Sequence, residues 1–442
     1  MPGRKTVVVH PTRKGVGGVG IAGKLCILGG VSLPLYLVSF RWDQVLPPPP
    51  WAPGWYQVEV CLLFIPYCLA LRLVWRNEEW SRLPLLVLLA FALLFRLPLL
   101  PTEPRMSTDL YRYLWDGRVQ LAGINPYGYA PEHEALRPLR DDAIYHGINR
   151  KESPTIYPAG AQLVFWGAAK LGLATPARFK ALLLLADLCS LFLLIRLLDH
   201  YKVNRLRVLL YAWNPLIVYE FAHAGHLEAL VVPCVLAALL CFAQQRVNLA
   251  FVSLALATSL KLYPALLVAV LARGRAVRCV LIFAAVLLCT YAPYLTVGER
   301  VMGFLPRYFS DPNEITNLGL PSLLFTLLSP AQAGWVLRLM LLAVATWMFL
   351  RPEAGLLYQI YRLISIHTLL LYPALYPWYL SWLVPLLCFF PSPGWLYFSC
   401  ASAFTYMTWP TPAWALWLEY APLYLLLGME IIRGKGKNEW SK

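Results

Sequence analysis

Between two strongly apolar stretches lies Asp109 to Pro126, DLYRYLWDGRVQLAGINP, a segment rich in carboxylates, arginines and tyrosines. A carboxylate within hydrogen-bond reach of a hydroxyl removes its proton as that oxygen forms a new bond, so Asp109 is a candidate general base. In the first turn of a helix the same residue also favours the helix dipole, by about 0.3 to 1 kcal/mol. Asp116 would stand roughly 10 Å further along that helix at 1.5 Å per residue, too far for two carboxylates to share a proton. Their spacing alone does not indicate a glycosidase pair either. Asp116 is better placed to hold Arg112, four residues earlier, in an ion pair. Arg112 then orients Asp109, touches an anion, or is a solvated surface arginine.

Further on, HAGHLEAL brings His223, His226 and Glu228 close in sequence. A metal needs three or four ligands in one geometry, which this stretch supplies only if Asp109 joins it; the expectation is no metal and no cofactor. Lys261 interrupts an apolar run, where a charge costs about 2.5 to 3.5 kcal/mol on insertion scales. A phosphate partner would offset that cost, and snorkelling to the interface is the alternative. His367, amid leucines and tyrosines, is either a buried hydrogen-bonded histidine or a contact to a leaving phosphate.

The elements that position these residues follow from periodicity. At 100° per residue, Asp109, Arg112, Tyr113, Asp116 and Gln120 fall on one polar arc, with Leu110, Tyr111, Leu114, Trp115, Leu121 and Ala122 opposite. Thr108 or Ser107 can cap the start of this amphipathic helix, Gly123 can end it, and Pro126 limits its continuation.

The 442 residues are 59% hydrophobic and 14% charged, and the apolar residues come in runs long enough to span a bilayer. The fold class expected is all-α, a polytopic membrane helix bundle of about 12 to 14 transmembrane helices, forming one domain over residues 1–442. The excess of 38 Lys and Arg over 23 Asp and Glu gives +15, which in a soluble protein would suggest nucleic acid. Here the basic residues sit in short loops and tails, a pattern of topology and not of nucleic-acid binding. The ten cysteines lie inside apolar runs with no CxxC, so neither a disulfide framework nor a cysteine metal site is expected.

Arg4, Lys5, Arg13, Lys14 and Lys24 place the N-terminus in the cytoplasm, and the first apolar run reads as a retained helix, not a signal peptide. Spans at about 24–42, 57–75 and 83–100 then leave a first large loop, 101–158, on the outer face. Residues 163–173 are short and carry Lys170, so they lie on or dip into that face without crossing. Spans at about 179–198, 207–222 and 227–243 put Lys202, Arg205 and Arg207 inside and the HAGHLE turn outside. The run 247–272 breaks at Lys261 and Pro264 into two short helices meeting at the outer side. Spans at about 276–296, 333–350, 355–371, 376–390, 395–409 and 413–432 enclose a second outer loop, 297–331, and return Arg433, Lys435 and Lys437 to the cytoplasm.

DLYRYLWDGRVQLAGINPYGYAP, with TIYPAGAQLVFW after it, WNPLIVYEFAHAGHLEAL, ATSLKLYP and YPWYLSWLVP, resembles the bacterial membrane mannosyltransferases of the glycosyltransferase-C superfamily. The resemblance runs from about residue 85 to 390, and its first motif is the most specific. It departs where Leu227 and Glu228 stand in place of the family's Asn-Asp, which bears on Glu228 more than on His226. It implies transfer of a hexose, foremost mannose, from a polyprenyl-phosphate carrier to an outer-face glycan or glycolipid, with inversion by single displacement. The implied setting is a bacterial inner membrane with the active site on the periplasmic side. Asp109 would be the base; Arg112, Tyr113, Asp116, His226, Glu228, Lys261 and His367 would contact substrate.

The competing reading is a transporter or lipid-linked-sugar flippase, which also has broken helices. Inverted repeats would favour it, and the sequence shows none. The topology itself is testable by labelling intact cells with an impermeant thiol reagent. Glu132→Cys is expected to react from outside and Asn204→Cys is not; the opposite pattern would overturn the placement of the site.

Overall fold

The run lengths of apolar residues decide which helices form and where they stop. The structure, a computed structural model, describes residues 19–45, 54–77, 81–274, 276–351, 355–407 and 412–433. Arg4, Lys5, Arg13, Lys14, Pro47 to Pro50, Lys435 and Lys437 lie outside the described residues. In chain order the longer helices are α1 (Ile21–Val45), α2 (Trp55–Trp75), α3 (Arg82–Arg96), α4 (Asp109–Leu121), α5 (Ala159–Lys170), α6 (Pro176–His200) and α7 (Glu228–Ala243). They are followed by α8 (Val247–Leu260), α9 (Ala276–Tyr291), α10 (Pro330–Leu350), α11 (Leu356–Leu369), α12 (Pro393–Ala401) and α13 (Ala413–Ile432). No strand forms among the described residues, so the protein is an all-α polytopic bundle.

Among the described residues, seven helical stretches are long and apolar enough to cross a membrane: Ile21–Ser39, Trp55–Trp75, Arg82–Leu99, Pro176–His200, Val277–Tyr308, Pro330–Leu350 and Ala413–Ile432. Leu339 and Leu342 of α10 and Leu281 and Leu288 of α9 are exposed, as lipid-facing side chains must be.

Several other apolar runs are not continuous helices, and proline explains the breaks. Residues 207–222 divide into short turns at Asn214–Pro215, where Asn214 Oδ1 accepts from the Leu216 amide at 3.1 Å, and end in a π turn, Tyr219–His223. A proline removes a backbone donor and biases the residue before it away from the helix. The run 247–272 stops at Leu260; Lys261 is extended at φ −147°, ψ 140°, and a 3₁₀ turn, Tyr263–Leu267, follows with Pro264 in its first positions. Pro377 and Pro385 likewise reduce 376–390 to two short turns. Irregular backbone at membrane depth is tolerable where protein encloses it, and residues 208–229 are buried throughout.

The helix α4 forms where periodicity places it. Ser107 Oγ accepts from the Asp109 amide at 3.2 Å. At the other end Gly123, at φ +75°, closes the helix with the amides of Gly123 and Ile124 on the carbonyls of Gln120 and Val119. The polar arc faces protein: Arg112, Tyr113 and Asp116 are buried. The partner is α5, whose twelve residues, about 18 Å long, are too short to cross. Gly117 lets the two helices touch, since a Cβ there would meet the Phe165 carbonyl oxygen at 2.5 Å. Tyr113 stacks on Phe165 with centroids 4.8 Å apart.

Candidate active site

The polar arc of α4 sorts into two parts. Arg112 Nε donates to Asp116 Oδ1 at 2.9 Å, and Arg112 Nη2 reaches the Ser153 carbonyl at 3.1 Å. Gln162 Nε2 donates to Asp116 Oδ2 at 2.9 Å. Both Asp116 oxygens are thus engaged, and Asp116 ties α4 to α5 and, through Arg112, to Ser153. Asp109, at the other end, is half-buried and opens onto a cavity of about 790 Å³.

Asn149 Nδ2 donates to Asp109 Oδ1 at 2.8 Å. The phenols of Tyr113 and Tyr157 stand beside the same carboxylate. Burial would push the Asp109 carboxyl up, but His226, Lys261, the Asn149 amide and Arg150 together outweigh it and hold the carboxyl below the usual carboxylate value. Asp109 is therefore ionised at neutral pH, the state a proton acceptor needs.

Lys261 leaves the end of α8 in extended backbone and brings its ammonium 3.2 Å from Glu228 Oε1, a carboxylate with no exposed surface. It also lies over the rings of Tyr157 and Tyr379, at 5.3 and 5.8 Å. The amine is thus turned inward and paired, not drawn out to the interface. His226 Nε2 is 3.3 Å from Glu220 Oε2, and its ring stacks on Trp378 at 4.0 Å. His367, buried at the end of α11, lines the cavity near Tyr263 and Trp382 and leaves Nδ1 without a hydrogen bond. His223 turns elsewhere, its Nδ1 meeting Thr102 Oγ1 at 2.8 Å. Among the described residues no group of three or more His, Cys, Asp or Glu is arranged to hold a metal ion, and the ten cysteines are free thiols.

The structure therefore brings Asp109, Lys261 and His367 to the cavity wall. It sets Arg112, Tyr113, Asp116, His226 and Glu228 behind that wall. Sequence reasoning passed over Asn149, Arg150, Glu314 and Arg338, which the cavity also exposes. Arg150 pairs through its guanidinium with Glu314, joining the segment 101–158 to the segment 297–331. Nothing local marks Asn149, Arg150 and Glu314, because each acquires its partner across a long sequence separation, and Arg338 has no carboxylate partner among the described residues. Leu266, Phe309, Leu337, Leu341, Leu370 and Leu371 form an apolar stretch of the wall, which also carries Glu152, Asp311 and Asn313.

Residues 52–276, just over half of the chain, match the model of the MptA/B family, the alpha-(1->6)-mannopyranosyltransferase N-terminal domain. The chain belongs to this family. No curated protein and no solved structure matches it. The protein is accordingly a membrane enzyme that transfers mannosyl groups, and the transporter reading falls away. The matched region contains Asp109, Arg112, Asp116, His226, Glu228 and Lys261, while His367 and Arg338 lie beyond it.

The Lys261–Glu228 pair carries a stability prediction for this enzyme. Removing one member of a buried ion pair leaves the other uncompensated. Lys261→Ala is expected to cost on the order of 3 kcal/mol in a detergent unfolding assay. Lys261→Met combined with Glu228→Gln should recover most of it. Equal losses in the single and double variants would show that the pair does not hold this region together.

Proposed function

We propose that the enzyme takes mannose from a polyprenyl-phosphate carrier and passes it to a glycan or glycolipid hydroxyl at the periplasmic face of a bacterial inner membrane. The supporting observation is the cavity itself. It combines an ionised carboxylate with an apolar wall built partly from the membrane helix α10, matching a substrate that is sugar-phosphate at one end and isoprenoid at the other. The activity of the family, alpha-(1->6)-mannopyranosyl transfer, suggests an alpha-(1->6) linkage for the product. Residues 101–158 and 297–331 serve as the two outer loops around the site, in a single domain with both termini cytoplasmic.

The chemistry balances as a single displacement. Asp109 accepts the proton of the acceptor hydroxyl while that oxygen attacks the anomeric carbon from the side opposite the phosphate. The bond from that carbon to the phosphate oxygen breaks, and its electron pair leaves with polyprenyl phosphate. Inversion follows from the geometry of attack. Asn149 donates to Oδ1 and the Tyr157 phenol hydrogen-bonds the same carboxylate, so the base is held in orientation before the acceptor arrives. Lys261 favours the ionised state of Asp109 and stands beside the sugar phosphate, with His367 near the leaving group. Arg112, Tyr113 and Asp116 hold the base helix, while His226 and Glu228 support the wall that Trp378 and Lys261 present to substrate.

Asp109→Asn keeps the shape of the helix start and removes the proton acceptor. Turnover with lipid-linked mannose is expected to fall by about 10² to 10⁴, while donor binding changes little. Asp116→Asn is the control, losing less in turnover and more in stability because it frees Arg112 and Gln162. Near-normal turnover of a folded Asp109→Asn enzyme would sink the assignment of the base.

A further inference from the structure

Three basic side chains among the described residues line the cavity: Arg150, Lys261 and Arg338. Arg150 is neutralised by Glu314 and Lys261 by Glu228. Arg338 has no carboxylate partner among the described residues. Its Nε donates to the Gly334 carbonyl one turn back at 3.0 Å, and its guanidinium lies over Trp335 at 4.6 Å and Phe309 at 5.0 Å. No hydrogen bond among the described residues engages Nη1 or Nη2. An arginine in a membrane-spanning helix is costly unless it faces a cavity or a partner, and α10 is such a helix.

Position adds to charge. Leu337 and Leu341 of α10 line the cavity, whereas Trp335, Leu339 and Leu342 are among its exposed residues. Arg338 thus stands where the enclosed side of the helix meets the lipid-facing side. Gly334 keeps that position open, since a Cβ there would come within 3.1 Å of Arg338 Nη2 and 2.6 Å of the Tyr372 ring.

We propose that Arg338 binds the phosphate of an isoprenoid phosphate, at the point where the apolar tail passes from the cavity into the bilayer. The proposal rests on the polyprenyl-phosphate reading of the donor and gives that donor a specific anchor. The two free amino groups of a guanidinium match two phosphate oxygens in one plane, which an ammonium cannot do. The stacking on Trp335 and Phe309 fixes that plane before the ligand arrives. Lys261 and Arg150 already have carboxylate partners, whereas Arg338 is the basic side chain of the cavity without one among the described residues. The reducing end of the sugar is thereby oriented with the isoprenoid outward and the reactive carbon toward Asp109.

The test measures binding of a long-chain polyprenyl phosphate and of the matching polyprenol to the full-length protein in lipid nanodiscs. The wild type is expected to prefer the phosphate. Arg338→Gln should bind the phosphate about tenfold or more weakly, as loss of a charge-assisted contact implies, while polyprenol binding is unchanged. Arg338→Lys should fall between the two. A wild type that does not distinguish phosphate from alcohol would overturn both the donor reading and this anchor. A wild type that does, with Arg338→Gln equal to it, would overturn the anchor alone. Should Arg338→Gln also lose polyprenol binding, Arg338→Lys decides: weakened phosphate binding supports the anchor, and unchanged binding overturns it.

Discussion

A charge held in a low-dielectric interior has to be matched on the spot, and the part of this protein around the cavity is organised by that requirement. Arg96, at the end of α3, pairs with Asp187 in the middle of α6 at 2.5 Å, with both side chains buried. Lys180 of α6 has no exposed surface and donates to the carbonyls of Leu99 and Thr102 at 2.7 Å each and of His223 at 3.2 Å. One ammonium thus fixes the chain between α3 and α4 to the π turn that precedes His226. Asp109 begins seven residues after Thr102, so the position of the base depends on this buried lysine. The same logic closes the site, where Glu228 opposes Lys261 and Glu314 opposes Arg150.

Irregular backbone gathers around the same place. The π turn at Tyr219–His223, the break at Lys261 and the proline-stopped turns after Tyr376 supply cavity walls or the residues directly behind them. A continuous helix would have kept Lys261 in a regular backbone, whereas extended backbone accompanies its pairing with Glu228. π turns are rare and often found at functional sites. Here the turn lets the His226 amide reach the Glu220 carbonyl at 2.9 Å while the ring lies against Trp378. Tyr406, a cavity residue, donates to both Glu220 oxygens, which extends the polar support to the opposite wall.

The start and end of α4, the break at Lys261 and Pro264, and the long apolar spans were legible in the sequence because each depends on local signals: caps, prolines and run length. The pairing of Arg112 with Asp116 was legible for the same reason, being a contact of one helical turn. The inward facing of the α4 polar arc was not, since amphipathicity alone does not say whether a polar face meets water or Gln162 of α5. Asn149, Arg150, Glu314 and Arg338 were missed because their significance comes from partners far away in sequence, or, for Arg338, from having no carboxylate partner among the described residues. Single spans expected at 207–222 and 376–390 were read from hydrophobicity, which does not register that enclosed backbone can be irregular. The prolines at 215, 377 and 385 carried that information and weighed too little.

The most direct measurement is a structure of the enzyme with an unreactive polyprenyl-phosphate-mannose analogue and an acceptor bound together. The acceptor hydroxyl oxygen is expected within hydrogen-bond reach of an Asp109 carboxylate oxygen, about 2.6 to 3.2 Å. The anomeric carbon should lie beyond it and the phosphate on the far side, in line. An acceptor oxygen resting against a different carboxylate, or a donor whose anomeric carbon lies away from Asp109, would contradict the account.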